Sequence, residues 1–183
     1  MQTDLYLVRH AHSIYTPDEV NRPLSEKGMA DAQRVAAIFH EQKIDHIYAS
    51  PYKRAVQTVE GIAVFRGKKV QIEKNFRERK LAGKPVVDFD YAIRKVWDEP
   101  SFSWEGGESN IAAQARGVDA ILRLLEWHMD QRIVVGTHGN IMVLIMQYFD
   151  QKYGFDFWDK LGMPDVYRLC FHGLKLADVQ RCW

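Results

Sequence analysis

The apolar run Leu5-Tyr6-Leu7-Val8 stops abruptly at Arg9-His10, as a buried strand does. Ser25 is placed to cap a helix running to about Gln42, with Met29, Ala32, Val35, Ala36 and Phe39 at helical spacing. His46 to Ala49 predicts a second strand, and Pro51 falls in the first turn of a helix through about Phe65. Lys69 to Glu73 predicts a third strand. Helices follow over Asp88 to Asp98 and Ser109 to Met129, the latter through Ile111, Ala115, Val118, Leu122 and Leu125. Arg132 to Thr137 holds Ile133-Val134-Val135, a buried strand stopped by Gly136. Ile141 to Phe149 is apolar on every side, which predicts a buried helix. Asp165 to Phe171 and Leu174 to Val179 read as a closing hairpin about His172-Gly173.

Strands that alternate with helices predict βαβ units and a mostly parallel central sheet covered on both faces, a three-layer α/β/α sandwich. The 183 residues suit a single domain over 1-183, in which residues about 76-108 are expected to cap its active site. With 46% apolar and 27% charged residues the chain is globular rather than disordered. A net charge of +1 gives no bulk attraction to nucleic acid. Two cysteines, Cys170 and Cys182, are too few for a disulfide framework or a zinc site. The longest apolar run, Ile141 to Met146, is far short of a membrane span of roughly 20 residues. Met1 to Val8 lacks the features of a signal peptide. The expectation is a cytoplasmic protein without metal, membrane or nucleic-acid partner.

In open parallel sheets chemistry gathers beyond the carboxyl ends of the strands. Three such junctions here each carry a residue of a type able to bind or attack phosphate: Arg9-His10, Ser50 to Arg54, and Thr137-His138-Gly139. Arg9 disfavours an imidazolium at His10 and so favours a neutral nucleophile, and its fork of donors suits phosphoryl oxygens. Arg54 falls in the first turn of its helix, where backbone N–H groups also favour an anion. Taken singly, each has a bland alternative: a surface Arg-His, a solvated helix arginine, a structural histidine. Their convergence is the signal.

The order Arg9-His10-Ala11, Ser50-Pro51-Tyr52-Lys53-Arg54-Ala55-Val56-Gln57-Thr58, Glu78 and Thr137-His138-Gly139 resembles the histidine phosphatase superfamily, the phosphoglycerate-mutase-like group, over essentially the whole chain. The resemblance implies a phosphoglycerate mutase-like fold and no cofactor. It implies that His10 is the nucleophile that becomes phosphohistidine, that Arg9, Arg54 and His138 hold the phosphate, and that Glu78 is the acid/base. Gly107-Glu108-Ser109 resembles a stretch that lines the family's pocket, and Thr16, Arg22 and Gly139 are candidate substrate contacts. Beside a bound phosphate, whose charge favours it, a protonated His138 is expected, since it would donate on both sides.

The chain departs from the family pattern at Ala11, usually glycine, at His12, often Glu or Gln, and at Thr16, often Asn in the mutases. Arg79 to Gly83 lacks the common aromatic-Glu-Gly ending. The implied activity is metal-independent hydrolysis of small-molecule phosphate monoesters. The alternatives are mutase-type transfer and a catalytically inactive phosphate-binding module. A protein-phosphohistidine phosphatase is a third, against which Glu78 counts.

Around the site, Phe89, Tyr91, Trp97, Phe102 and Trp104 are either a substrate rim or, more commonly for such a stripe, packing. Arg77, Arg79 and Lys80 would favour a multiply charged substrate, with a solvated loop the commoner outcome. His12 and Tyr15 are placed either at the pocket mouth or on the open surface. Tyr153, Phe155, Phe157, Trp158 and Trp183 either pack internally or face a homodimer partner.

Overall fold

Alternation along the strands sorts their side chains to two faces, and helices cover both. The computed structural model describes residues 2–183. Strand β1 (Thr3–Arg9) lies between β4 (Arg132–Thr137) and β5 (Asp165–His172) in a six-stranded sheet of order β3-β2-β4-β1-β5-β6. β2 (His46–Ala49), β3 (Gln71–Ile72), β4 and β1 run parallel. β5 and β6 (Lys175–Arg181) form the antiparallel hairpin, turning at Gly173 with φ +61°.

On one face Tyr6, Val8, Ile47 and Val134 meet α1 (Glu26–Ile38) and α2 (Lys53–Phe65) through Val35, Val59 and Ile62. On the other, Leu5, Leu7, Ile133 and Val135 meet α3 (Phe89–Asp98), α4 (Asn110–Trp127) and α5 (Gly139–Phe149) through Val96, Ile121 and Leu144. The period of two within β1 and β4 thus fills both cores at once.

Most boundaries follow local chemistry. Ser25, Asp88 and Ser109 cap α1, α3 and α4, each accepting a backbone N–H. Helix α1 ends at Ile38 rather than near Gln42. Gln42 lies past the helix, its amide donating to Ile38 O and its oxygen accepting from the Tyr6 hydroxyl. Pro51 sits in the bend before α2, whose N-cap is Tyr52, and not in its first turn. β3 is shorter than expected, at two residues.

A short α6 (Phe155–Asp159) was not evident in the pattern. Its Phe155, Phe157 and Trp158 pack against the main core, where Tyr153 is buried, while Trp183 packs on the opposite core beneath Arg34. The C-terminal aromatics therefore have internal partners. The segment between β3 and α4 contributes Phe76, Ile93, Val96 and Trp97 to the main core, so Trp97 is packing rather than rim. Phe102 and Trp104 pack against that core as well, whereas Phe89 and Tyr91 are exposed.

Candidate active site

Strand register brings the first three junctions together. Arg9 pairs with Thr137, and Ala49 pairs with Gly136, on three adjacent parallel strands. The residues that follow, His10, His138 and Ser50, therefore leave the sheet side by side. His10 N donates to Thr137 O at 2.9 Å and Ser50 N to Gly136 O at 2.9 Å, extending the ladder one step. The His10 and His138 rings stand 5.1 Å apart, centroid to centroid.

Hydrogen bonding fixes the state of His10. Its Nδ1 lies 2.7 Å from Ala11 O, an acceptor only, so Nδ1 carries the proton. Nε2 then presents its lone pair, and Arg54 Nε donates to it at 3.2 Å. Burial is the first cause that drives the ring's pKa down to about 3; the Ala11 carbonyl opposes, and Arg54, Arg9 and Arg22 add to the fall. His10 is a neutral imidazole at neutral pH. Arg9 does disfavour the imidazolium, as its place beside His10 predicts, but desolvation is the larger cause.

His138 is fully buried, and burial followed by His10, Arg54, Arg116 and Arg9 holds its pKa well below the ordinary value. His138 is thus a neutral imidazole in the free protein, and the protonated form is the one expected with phosphate bound. A bound phosphoryl group would supply the negative charge that reverses the balance. His138 Nε2 lies 2.7 Å from Ser50 Oγ, which also accepts the Tyr52 N–H. His138 Nδ1 is buried without a protein partner.

Arg54, 3% exposed, is the second residue of α2. Its carbonyl accepts from Thr58 Oγ1 at 2.7 Å, and that hydroxyl accepts the Ala11 N–H at 3.0 Å, so α2 is tied to the loop that follows His10. Ala11 is fully buried against Leu24 and Ala32, which accommodates the methyl group where the family has glycine. Arg9 Nη1 donates to Leu161 O and Gly162 O at 2.8 and 3.0 Å, while its buried Nε has no protein partner. A Cβ on Gly139 would stand 3.1 Å from Arg9 Cζ and Nε, so glycine lets the guanidinium lie on the start of α5. Gly139 is buried beneath Arg9.

Glu78 comes from irregular chain beyond a single 3-10 turn (Lys74–Phe76). Its Oε1 accepts from Arg79 N at 2.7 Å and Ile141 N at 3.0 Å, and its Oε2 from Asn140 N at 3.0 Å. The N-terminus of α5 thus grips the carboxyl group one turn from His138. Arg79 is 3% exposed, with Nε and Nη1 lacking protein partners and Nη2 donating to Asn140 Oδ1 at 3.0 Å. That corrects the solvated-loop expectation for Arg79; Lys80 is exposed and Arg77 only partly buried.

The loop after β1 supplies Arg22, whose charge is felt at His10 and which stacks over Tyr15 at 4.7 Å. Tyr15 itself is exposed, as is His12, which bonds the capping Ser25. The Thr16 side chain bonds Asp18 O and its carbonyl receives Arg22, so Thr16 supports the loop. Glu19 was not singled out by any sequence pattern. Its Oε1 accepts from Arg54 Nη2 at 2.6 Å, its carbonyl from Arg54 Nη1 at 2.8 Å, and its Oε2 pairs with Arg22 at 2.8 Å. The charges of Arg9, Arg22 and Arg54 are felt at His10, and those of Arg9, Arg54 and Arg116 at His138, so two neutral histidines lie in a cationic surrounding to which Glu19 and Glu78 bring negative charge.

Fold and site together define an α/β protein with a cluster of buried arginines and histidines at the carboxyl edge of a mostly parallel sheet. The family model of the histidine phosphatase superfamily (branch 1) matches residues 5–174, and the chain belongs to that superfamily. It is 32% identical over 156 residues to phosphoglycerate mutase-like protein 4 of Arabidopsis thaliana, covering 76% of this chain and 67% of that one. It is 28% identical to the fructose-2,6-bisphosphatase TIGAR of Xenopus tropicalis, covering 63% of this chain and 47% of TIGAR. Phosphoserine phosphatase 1 of Hydrogenobacter thermophilus is 27% identical, with 73% of this chain and 70% of that one covered. A mycobacterial glucosyl-3-phosphoglycerate phosphatase superposes with a TM-score of 0.78 at 20% identity, covering 99% and 97% of the two chains, a likeness of fold. Among the described residues no helix is long and apolar enough to cross a membrane.

Proposed function

We propose that the chain is a metal-independent phosphatase that hydrolyses small-molecule phosphate monoesters through a phosphohistidine on His10. The observation that carries this reading is the His10 tautomer: Nδ1–H is committed to Ala11 O, so Nε2 is the unprotonated nitrogen, its lone pair facing Arg54 Nε at 3.2 Å. In the first step Glu78 starts protonated; His10 Nε2 bonds to phosphorus, the ester P–O bond breaks, and the Glu78 proton passes to the departing oxygen, leaving Glu78 a carboxylate. In the second, water attacks phosphorus, the N–P bond breaks and Glu78 takes the water's proton. Arg9, Arg54 and His138 stabilise the equatorial oxygens by fixed donors.

The buried, half-unpartnered guanidinium of Arg79 beside Glu78 favours substrates with a second anionic group. Mutase-type transfer is the second reading, favoured by the identity to a phosphoglycerate mutase-like relative. The test is steady-state hydrolysis of p-nitrophenyl phosphate in excess EDTA, wild type beside His10→Ala. Turnover that survives chelation and falls by about 10⁴-fold or more in the variant is expected. Equal turnover in both proteins removes His10 as nucleophile. Product isomerisation stimulated by a bisphosphorylated primer would move the assignment to the mutase.

A further inference from the structure

Arg116, in the middle of α4, lies outside the set just described, yet every N–H of its guanidinium is engaged. Nε and Nη2 form a fork with Glu108 Oε1 and Oε2 at 2.7 and 2.8 Å. Nη1 donates to Asn75 O at 2.5 Å and Arg77 O at 2.9 Å, and Nη2 to Glu78 O at 3.4 Å. Those are five contacts for the five donors a guanidinium owns. The side chain is 11% exposed and that of Glu108 20%. The three carbonyls belong to the stretch that delivers Glu78, which has no sheet ladder to satisfy its backbone. Glu78 is therefore held at both ends: its carboxyl by the start of α5, its main chain by one arginine of α4.

We propose that Arg116, oriented by Glu108, is a positioning residue that sets the reach of Glu78 to the leaving group. This rests on the reading of Glu78 as the acid/base. Lysine at 116 would keep the charge but lose the planar fork, and with it the simultaneous grip on three carbonyls and a carboxylate. The charge matters separately, because Arg116 is also among the cations felt at His138. A clamp that only stabilised the fold would lower activity on every substrate alike. A clamp that places the acid costs most where the leaving oxygen needs its proton most.

The experiment is kcat/KM over a series from aryl phosphates with good leaving groups to alkyl phosphates, for wild type, Arg116→Lys, Glu108→Gln, Glu78→Gln and Arg116→Lys/Glu78→Gln. The positioning role predicts a steeper dependence on leaving group in Arg116→Lys and Glu108→Gln, with about 10- to 100-fold lost on alkyl esters and less on p-nitrophenyl phosphate. In the Glu78→Gln background Arg116→Lys should add no further steepening. Glu108→Gln keeps the side chain's shape and serves where Arg116→Lys folds poorly. A parallel loss across the series in both clamp variants, with Glu78→Gln steepened, overturns the positioning role and leaves the Glu78 assignment standing. A Glu78→Gln series as shallow as wild type removes the acid role, and the positioning role with it.

Discussion

The floor of the pocket and the arm that carries Glu78 are built by different means. On the floor, His10, Ser50 and His138 follow directly from three strands in register, and backbone bonds continue the ladder past each strand end. His10 there is neutral chiefly because it is buried, with Arg54, Arg9 and Arg22 adding to the effect. In the arm there is no ladder, and Glu78 is placed by an arginine fork, a helix N-terminus and the Thr137 hydroxyl, which donates to Phe76 O at 2.9 Å. A ladder fixes a side chain through many weak constraints, whereas the arm depends on a few strong ones. Substitutions in the two regions should therefore fail differently.

The sharpest way to break the floor without emptying it is Arg54→Lys. Lysine keeps a positive charge but cannot at once donate to His10 Nε2 and to a phosphoryl oxygen in one plane. A loss of about 10²-fold in kcat/KM is expected, the cost of a misplaced oxyanion donor. The loss should be uniform across leaving groups, since the floor holds phosphorus and not the departing oxygen. A leaving-group series that steepens in Arg54→Lys as it does in Glu78→Gln would erase the distinction between the two regions.

A smaller effect is expected on stability. The folded-state pKa of His10, about 3, lies below the ordinary value of 6.5, and His138 is shifted the same way. Between these values the unfolded chain binds more protons than the fold, so stability rises with pH there and is lost as pH falls below 6.5. Each such histidine contributes up to about tenfold per pH unit to the unfolding equilibrium in that window. Urea titrations from pH 7 to pH 4 should show a shallower pH dependence for His10→Ala than for wild type. Identical slopes would mean that His10 is accessible to protons in the fold.

The same contrast explains what was legible in the sequence. The Leu5 to Val8 and Ile133 to Val135 runs named their strands, and strand ends in a parallel sheet point to His10 and His138 without further information. Arg54 was visible from its place at the start of a helix. The arm was not legible in this way. Arg79 reads as one of three cations in a polar loop, and only its contact with Asn140, far along the chain, shows it to be buried. Arg116 reads as a surface position of an amphipathic helix. Glu19, in an exposed loop, carries no periodicity, and its meaning comes wholly from where Arg54 reaches.

Glu19 gives the smallest effect and the finest test, because there a loop side chain meets the floor. In the free protein its carboxylate and carbonyl occupy two nitrogens of Arg54, and the carboxylate also pairs with Arg22. A phosphoryl group seeking the same donors must displace it, so Glu19 competes with substrate. Because Glu19 is 46% exposed, solvent screens the pair and keeps its worth low. Glu19→Gln should therefore tighten the inhibition constant for inorganic phosphate by about two- to fivefold, within the range of a screened ion pair. The competing charge is then gone, while a side-chain oxygen remains to receive Arg54. If phosphate binds more weakly to Glu19→Gln, the carboxylate organises Arg54 for its ligand. The loop would then belong to the floor, and the boundary between ladder-built and clamp-built parts would move to include it.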